Sequence, residues 1–406
     1  MTGFTVEIDR NPWLAPDATR VDVLVTVTGP AGQPETVADV LQVVVVDCSG
    51  SMLGDKIERA RAATTTALAA LPDGTLFAVV AGTSQARPVY PAEGAARADG
   101  RTRAEAVAAV GALRAGGGTR LGAWLDAVRD VAEQHPGAVR HALLVTDGRN
   151  AESRSELHAA VQRCRGKFTC DCRGIGTDWE VAELRTIATA LLGDVDIVAD
   201  AADLPDDLAR VFRAAVRRSV PGVVLRLWSP EQVVVRGVTQ VAPEVRELTG
   251  SERATGPCGI DVPLGDWGAQ TREYHLRIDV PPRPVGDRML AVRVAAGPQD
   301  DPGAGHPVVV TRTDDPALLA VEPPRLEHYR GQVALAGAVR DGLSARHGGD
   351  DATATLLLGH ARDLAERTGH HDTLSLLDDV LHGDAGPVEE MTLDARGRRS
   401  RSPDDD

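Results

Sequence analysis

Apolar and polar positions follow different periods along the chain, and each change of period marks a predicted domain boundary. Between residues 4 and 38, apolar side chains alternate with polar ones, which predicts a pair of strands with one face in water. From Leu41 to Val46 the chain is almost entirely apolar and β-branched, as expected for a strand buried on both faces of a parallel sheet. A second domain is therefore predicted to begin at residue 40.

Residues 40–218 alternate short apolar segments with longer segments of helical periodicity. The predicted elements, in chain order, are strand 41–46, helix 56–71, strand 75–80, helices 103–113 and 121–133, strand 141–146, helix 155–164, strand 168–175, helix 180–191 and strand 195–198. Strands that alternate with helices in this way predict a doubly wound α/β domain.

After residue 218, apolar side chains again alternate with polar ones. Strands are predicted at 223–228, 232–238, 273–280, 289–294 and 308–313. The N-terminal strand pair is too small to be stable alone, so residues 1–39 are predicted to join residues 219–315 in a β-sandwich. The α/β domain is then an insertion in that sandwich.

The C-terminal part of the chain changes to a Leu-rich helical period. Residues 316–383 are predicted to form a helical domain, with helices at 325–346, 352–367 and 373–381. Residues 384–406 are polar and are predicted to be a mobile tail. The predicted fold class is a doubly wound α/β domain inserted in an all-β sandwich and followed by a helical unit.

The composition adds a strongly acidic charge. The 406 residues carry 44 basic and 59 acidic side chains, which gives a formal net charge of −15 at pH 7. Because an acidic surface repels phosphate groups, neither nucleic acid nor membrane is expected as a partner. Lysine occurs only as Lys56 and Lys167.

Three features predict a cytoplasmic location. No apolar run approaches the ~20 residues that a membrane-spanning helix needs. The first residues have neither the basic region nor the apolar region of a signal peptide. Five cysteines are few and odd in number, which makes a poor disulfide framework and favours a reducing compartment.

The candidate chemistry lies directly after the strand at 41–46. Asp47, Ser49 and Ser51 are two residues apart on the turn into the next helix, so their oxygens can converge on one point. One carboxylate with hydroxyl groups is a hard-oxygen set that suits Mg²⁺ and leaves positions for water and a ligand. The alternative is that these side chains only cap the following helix, as such residues often do.

Two distant segments favour the metal site over the helix cap. Thr119 follows three glycines just before a predicted helix, and Asp147 follows the strand at 141–146. Both are predicted to lie at the same carboxyl edge of the sheet as Asp47, where open α/β sheets bind ligands.

These positions resemble the metal-ion-dependent adhesion site of von Willebrand factor A domains. The family pattern is an Asp-x-Ser-x-Ser loop, a Thr on a later loop and an Asp on a third loop, and all five positions match here. The resemblance implies that Ser49, Ser51 and Thr119 bind the ion directly or through a switchable contact. It also implies that Asp47 and Asp147 act through water or as anchors, and that a partner's carboxylate completes the coordination.

The flanking units are similar to those of a group of bacterial cytoplasmic proteins of this family. Some of these are encoded beside phosphorylation-signalling components or MoxR-type ATPases. The resemblance implies a protein-binding module that is not an enzyme and that uses Mg²⁺, with Mn²⁺ or Ca²⁺ as alternatives. The expected ligand is a carboxylate of another protein, and a small-molecule substrate is not expected.

The cysteines form a second, weaker candidate site. On a strand, Cys170 and Cys172 point to the same side, which is compatible with Zn²⁺ binding if Cys164 and another ligand joined them. The spacing does not match a two-cysteine zinc knuckle, so a cluster of buried or redox-labile thiols is the favoured interpretation. Cys48 has no supporting His and is not expected to be a nucleophile.

Two other functions are left open by the residues. Asp47 occupies the position of a nucleophilic aspartate in phosphoryl-transfer α/β folds, which makes a metal-dependent phosphohydrolase the first alternative. Against it, Ser49 is a poor proton acceptor, and the chain has no Gly-x-x-x-x-Gly-Lys-Ser/Thr phosphate loop. A structural scaffold with a vestigial metal site is the second alternative.

Overall fold

The computed structural model describes residues 3–30, 39–200, 202–321, 323–383, 385–397 and 399–400. The chain divides into two compact units. The first unit combines residues 1–32, 223–264 and 269–406, and the second combines residues 33–222 and 265–268.

Strands and helices are numbered separately in chain order. The strands are β1 (Thr5–Asp9), β2 (Trp13–Leu14), β3 (Arg20–Thr28), β4 (Val40–Asp47), β5 (Leu76–Gly82), β6 (Ala86–Tyr90), β7 (Ala96–Arg97), β8 (Val139–Thr146), β9 (Thr169–Ile175), β10 (Val195–Val198), β11 (Val220–Trp228), β12 (Val234–Ala242), β13 (Arg246–Glu247), β14 (Arg253–Ala254), β15 (Gly259–Trp267), β16 (Thr271–Asp279), β17 (Arg288–Pro298) and β18 (His306–Arg312). The helices are α1 (Asp55–Ala69), α2 (Gly100–Gly111), α3 (Leu121–Ala132), α4 (Arg154–Cys164), α5 (Val181–Ala190), α6 (Leu204–Val216), α7 (Pro316–Leu319), α8 (Pro324–His347), α9 (Asp351–Arg367), α10 (His371–His382) and α11 (Pro387–Arg396).

The second unit is built on a mostly parallel sheet. Its strand order is β10-β9-β8-β4-β5-β6, with β7 also paired to β5, and only the pairings of β6 and β7 are antiparallel among the described strands. All eight residues of the central strand β4 are buried, in agreement with the apolar run that predicted it. Because β4 lies between β5 and β8, the loops that leave these three strands meet at one edge of the sheet.

Helices cover the central strand of this sheet. Val44 and Val46 belong to a buried cluster that includes Ile57 of α1, Val110 of α2 and Phe212 of α6. The alternate residues of β4 point to the opposite face, and α3 contacts β4 and packs against α4. This is the doubly wound arrangement that the alternating pattern predicts.

The first unit contains two antiparallel sheets. Their strand orders are β1-β3-β16-β12-β13 and β14-β15-β11-β17-β18-β2, and the pairing of β18 with β2 is the parallel exception among the described pairs. Strand β3 pairs with both β1 and β16, so strands from before and after the α/β unit share one sheet. The predicted fold class is confirmed.

Five helices, α7 to α11, follow the sheets in the described part of the first unit. Helix α8 packs against α9, α9 against α10 and α10 against α11. Leu326 and Tyr329 of α8 also pack with Leu24 of β3 and Val241 of β12. That residues 316–383 form a separate domain stays a prediction. The same holds for the other predicted domain boundaries.

One expectation for the C-terminal end is wrong. Residues 384–406 are predicted to be a mobile tail, yet Pro387–Arg396 forms α11 and its Leu393 is fully buried among residues of the other helices. The segment has few apolar residues, so its pattern does not predict the helix, and Leu393 packs with buried residues of α8, α9 and α10. The acidic end at 401–406 lies outside the described residues.

None of the helices in the described ranges combines the length and the apolar character needed to cross a membrane.

Candidate metal site

Asp47 is the last residue of β4 and its carboxylate is fully buried. Ser49 donates its backbone N–H to Asp47 Oδ1 over 2.7 Å, and Thr146 donates its hydroxyl to Oδ2 over 2.5 Å. Burial raises the pKa of Asp47, and the hydrogen bonds from Ser49 and Thr146 act in the opposite direction. Both oxygens of this carboxylate are therefore held by the protein.

Backbone hydrogen bonds fix the loop that follows β4. The N–H of Cys48 donates to the carbonyl of Gly82 at the end of β5, and the Cys48 carbonyl accepts from Gly116. Gly50 donates to the carbonyl of Gly117 over 2.9 Å, and Gly117 has a φ of +88°, a conformation that favours glycine. These contacts bring the glycine loop that carries Thr119 against the serine loop.

Hydroxyl groups from the two loops meet beside a second carboxylate. Ser49 Oγ and Ser51 Oγ lie 2.9 Å apart, and Ser51 donates to Asp147 Oδ1 over 2.6 Å. Ser49, Thr119 and Asp147 are buried, whereas Ser51 is exposed. The structure thus brings together all five positions that the sequence singles out.

The space between the hydroxyl groups can be measured from Gly148. A Cβ atom added to Gly148 would lie 2.9 Å from Thr119 Oγ1, 3.0 Å from Ser51 Oγ and 3.6 Å from Ser49 Oγ. Three hydroxyl oxygens therefore converge beside Gly148, next to two carboxylates. This set of oxygen donors fits a small, hard cation such as Mg²⁺.

Lys56 also contacts the site, although it lies outside the five positions of the sequence motif. Its Nζ lies 2.6 Å from Asp147 Oδ2 and 3.5 Å from a carboxylate oxygen of Asp178. The hydrogen bond to Asp147 raises the pKa of Lys56, so the amine stays protonated at neutral pH. Thr146 is missed in the same way, because its position beside Asp47 depends on the pairing of β8 with β4.

An open pocket leads to the hydroxyl groups. Ser49, Ser51, Thr119 and Gly148 line it, together with Arg149 and Asp178 at the rim. Arg149 is exposed, and within the described part of the chain its guanidinium group makes no hydrogen bond or ion pair. The pocket can therefore admit an acidic group from outside.

The cysteines do not form a metal site in the described residues. Cys164, Cys170 and Cys172 are buried, and the described part of the chain holds no group of three or more His, Cys, Asp or Glu side chains suited to a metal ion. Burial raises the pKa of Cys164 to about 12 and that of Cys48 to about 11. Cys48 is therefore a neutral thiol at neutral pH, which does not suit a nucleophile.

Comparisons with known proteins cover both the α/β unit and the whole chain. A family model for the von Willebrand factor type A domain matches residues 42–197. The structure of a von Willebrand factor type A protein from Catenulispora acidiphila is 38% identical, covers 98% of this chain and 97% of its own, and has a TM-score of 0.93. The ArnB paralog VWA2 from Sulfolobus acidocaldarius is 15% identical with 98% coverage of both chains and a TM-score of 0.66, which shows a likeness of fold alone. No curated protein sequence matches the chain.

Domains of the von Willebrand factor type A kind are protein-interaction modules and are often metal-dependent. The match to the Catenulispora acidiphila protein extends beyond the α/β unit to the antiparallel sheets and the C-terminal helices. The similarity that the sequence motif indicates is therefore confirmed over nearly the full length, and the chain belongs to the von Willebrand factor type A family.

Proposed function

We propose that this protein is a Mg²⁺-dependent protein-binding module and not an enzyme. A carboxylate of a partner protein would complete the coordination of an ion held by Asp47, Ser49, Ser51, Thr119 and Asp147. The observation that carries the proposal is the convergence of three hydroxyl groups beside Gly148, where a Cβ atom built on the glycine would lie 2.9 to 3.6 Å from their oxygens.

The hydrogen bonds of the carboxylates support a division of roles. Asp47 already accepts hydrogen bonds at both oxygens, and Asp147 accepts from Ser51 and Lys56. The three hydroxyl groups are therefore the direct ligands in this proposal, while the carboxylates act through water and supply negative charge. Mn²⁺ and Ca²⁺ accept the same oxygen donors and are the alternative ions.

Charge and exposure support a carboxylate as the incoming ligand. When bound, the ion would supply a local positive charge in a protein whose net charge is −15. Arg149 at the rim offers a guanidinium group that is not engaged within the described chain. Since one carboxylate on one metal gives modest affinity, the surface around the pocket must supply the specificity.

A hydrolase is less well supported by the same residues. Ser49 and Ser51 are poor proton acceptors, and the thiol of Cys48 is protonated at neutral pH. The proposal accordingly predicts no phosphatase or ATPase activity in the presence of Mg²⁺. Turnover that Asp47→Asn abolishes would instead identify an enzyme.

The test of the binding function is affinity capture from a native bacterial lysate. Wild-type protein is compared with Asp47→Ala, each with Mg²⁺ and with EDTA. We expect a set of partners that is lost both in the variant and with EDTA. Capture of the same partners in all four conditions would point to a scaffold with a vestigial site and contradict the proposal.

A further inference from the structure

We infer that the ammonium group of Lys56 is part of the metal site. There it weakens the binding of a divalent ion, and it strengthens the binding of a carboxylate to the loaded site, that is, the site with its metal ion bound. This inference rests on the proposed function. It concerns a residue that lies outside the five motif positions and that contacts the site directly.

The position of Lys56 supports a role inside the site. Its ammonium group lies 2.6 Å from Oδ2 of Asp147, whose side chain is 0% exposed, while the side chain of Lys56 is 37% exposed. Lys56 is the second residue of α1, which begins directly after the serine loop. The contact with Asp178 at 3.5 Å involves a carboxylate that is 72% exposed, so water screens it strongly. Asp147 is therefore the main partner of the ammonium group.

The contact also restricts how Asp147 can serve a metal. One carboxylate oxygen accepts from the Ser51 hydroxyl and the other is held by Lys56. Asp147 thus presents a single oxygen toward the hydroxyl groups. A cation that enters the site has to share the charge of this carboxylate with the ammonium group.

The charges of the site give the direction of the effect. With both carboxylates ionised, Asp47, Asp147 and Lys56 sum to one negative charge, and a divalent ion turns this into one positive charge. Without Lys56 the loaded site would be neutral. A loaded site that keeps the charge of Lys56 attracts a carboxylate more strongly than one without it, because the open coordination position and Arg149 are present in both.

The test measures metal binding and carboxylate binding separately on the full chain. Mn²⁺ alone is the metal probe, and its free concentration is read by electron paramagnetic resonance. Sodium acetate is the carboxylate probe, and sodium chloride is the salt control. Acetate binding is measured as a decrease in the water-proton relaxation rate that is due to bound Mn²⁺. The variant is Lys56→Met, with Lys56→Gln as a second neutral variant.

We expect Lys56→Met to tighten Mn²⁺ binding by about tenfold and to weaken acetate binding by about tenfold. Lys56→Arg keeps the positive charge and should shift both affinities back toward wild type. Arg59→Met is the matched control, because it removes one positive charge from the same helix, while Arg59 pairs with Asp200 over 3.3 Å. This control should leave both affinities within about twofold of wild type.

The outcomes separate the two proposals. Wild-type protein that binds no Mn²⁺ would contradict the proposed function itself. Wild-type protein that binds Mn²⁺ and acetate, with both neutral Lys56 variants unchanged or weaker in Mn²⁺ binding, would overturn only the inference about Lys56. Equal shifts in Lys56→Met and Arg59→Met would also overturn it, since the effect would then come from net charge. Circular dichroism of each variant without metal checks that the fold is retained.

Discussion

Thr146 shows how a residue next to the recognised motif supports the metal site. It is fully buried, and its hydroxyl is the donor to Asp47 Oδ2. Replacement by Val keeps the shape and leaves one oxygen of a buried carboxylate without its donor. We expect Thr146→Val to lower the free energy of unfolding by about 1–3 kcal/mol and to weaken Mg²⁺ binding, as measured by urea denaturation and calorimetric titration.

The control for this substitution is Thr146→Ser, which keeps the hydroxyl and removes a methyl group. The serine variant should bind Mg²⁺ as the wild type does, even if its stability falls. A valine variant with unchanged metal affinity would mean that Asp47 does not need this donor.

Gly148 gives a direct test of where the ion binds. A methyl group at this position would occupy the space between Thr119, Ser51 and Ser49. We expect Gly148→Ala to weaken Mg²⁺ binding at least about tenfold, because the methyl group would press against the hydroxyl groups that would hold the ion. The loss of stability should not exceed about 1–2 kcal/mol, because these hydroxyl groups are side-chain ends that can rotate away. Calorimetric titration with Mg²⁺ and thermal unfolding would measure the two effects.

Gly116→Ala is the matched control on the neighbouring loop, since a Cβ atom there meets nothing within 4 Å. It should retain the metal affinity of the wild type. Normal Mg²⁺ binding by the Gly148 variant would place the ion elsewhere.

The site residues divide into those that the sequence can identify and those that need the fold. Asp47, Ser49 and Ser51 stand in one short segment, and the buried strand before them identifies the sheet edge. Lys56 is nine positions after Asp47, and only the turn into α1 brings its amine to Asp147, which directly follows β8. A helix-surface lysine has no distinguishing signal in a single sequence.

At the scale of elements, the sequence predicts those strands and helices whose apolar residues keep the same spacing from end to end. Strand β4 is apolar throughout, and helices such as α3 and α9 keep one apolar face over several turns. The missed elements have weaker or interrupted patterns. The edge strand β6 contains a proline and is mostly exposed or half-buried, and β15 includes two glycines and a proline. Helix α6 is also absent from the predicted elements, although its apolar residues recur at helical spacing.

The packing of α8 against α9 offers a test at this scale. Gly342 of α8 faces Leu358 of α9, and a Cβ atom on Gly342 would lie 2.8 Å from the Leu358 side chain and 3.2 Å from its backbone nitrogen. We expect Gly342→Ala to destabilise the first unit by about 1–3 kcal/mol because the two helices would have to separate. Urea denaturation followed by circular dichroism would measure the change.

Gly337→Ala on the same helix is the control, and we expect it to have the opposite effect on stability. A Cβ atom at Gly337 meets nothing within 4 Å, so the higher helix propensity of alanine should stabilise the protein by up to about 1 kcal/mol. Equal effects of the two substitutions would show that α8 and α9 do not pack closely at Gly342.

At the scale of the whole molecule, the α/β unit has the features of a self-contained domain. It has its own sheet and its own buried cluster, and the chain enters and leaves it between strands of the antiparallel sheets. One short segment from elsewhere in the chain, residues 265–268, also belongs to it. In this segment Asp266 accepts backbone hydrogen bonds from Arg140 and Gly222, and Trp267 is fully buried.

Whether this unit folds independently can be tested with a fragment of residues 33–222. We expect the fragment to fold and to bind Mg²⁺ as the full chain does, because Asp266 contacts the start of β8 and the metal site lies at its far end. Asp147 is seven positions after Arg140, so at about 3.3 Å per residue the two regions are about 23 Å apart. Loss of Asp266 and Trp267 should nevertheless lower the urea midpoint. A fragment that stays unfolded with Mg²⁺ present, or that folds without metal affinity, would contradict this expectation and show that the unit depends on residues outside 33–222.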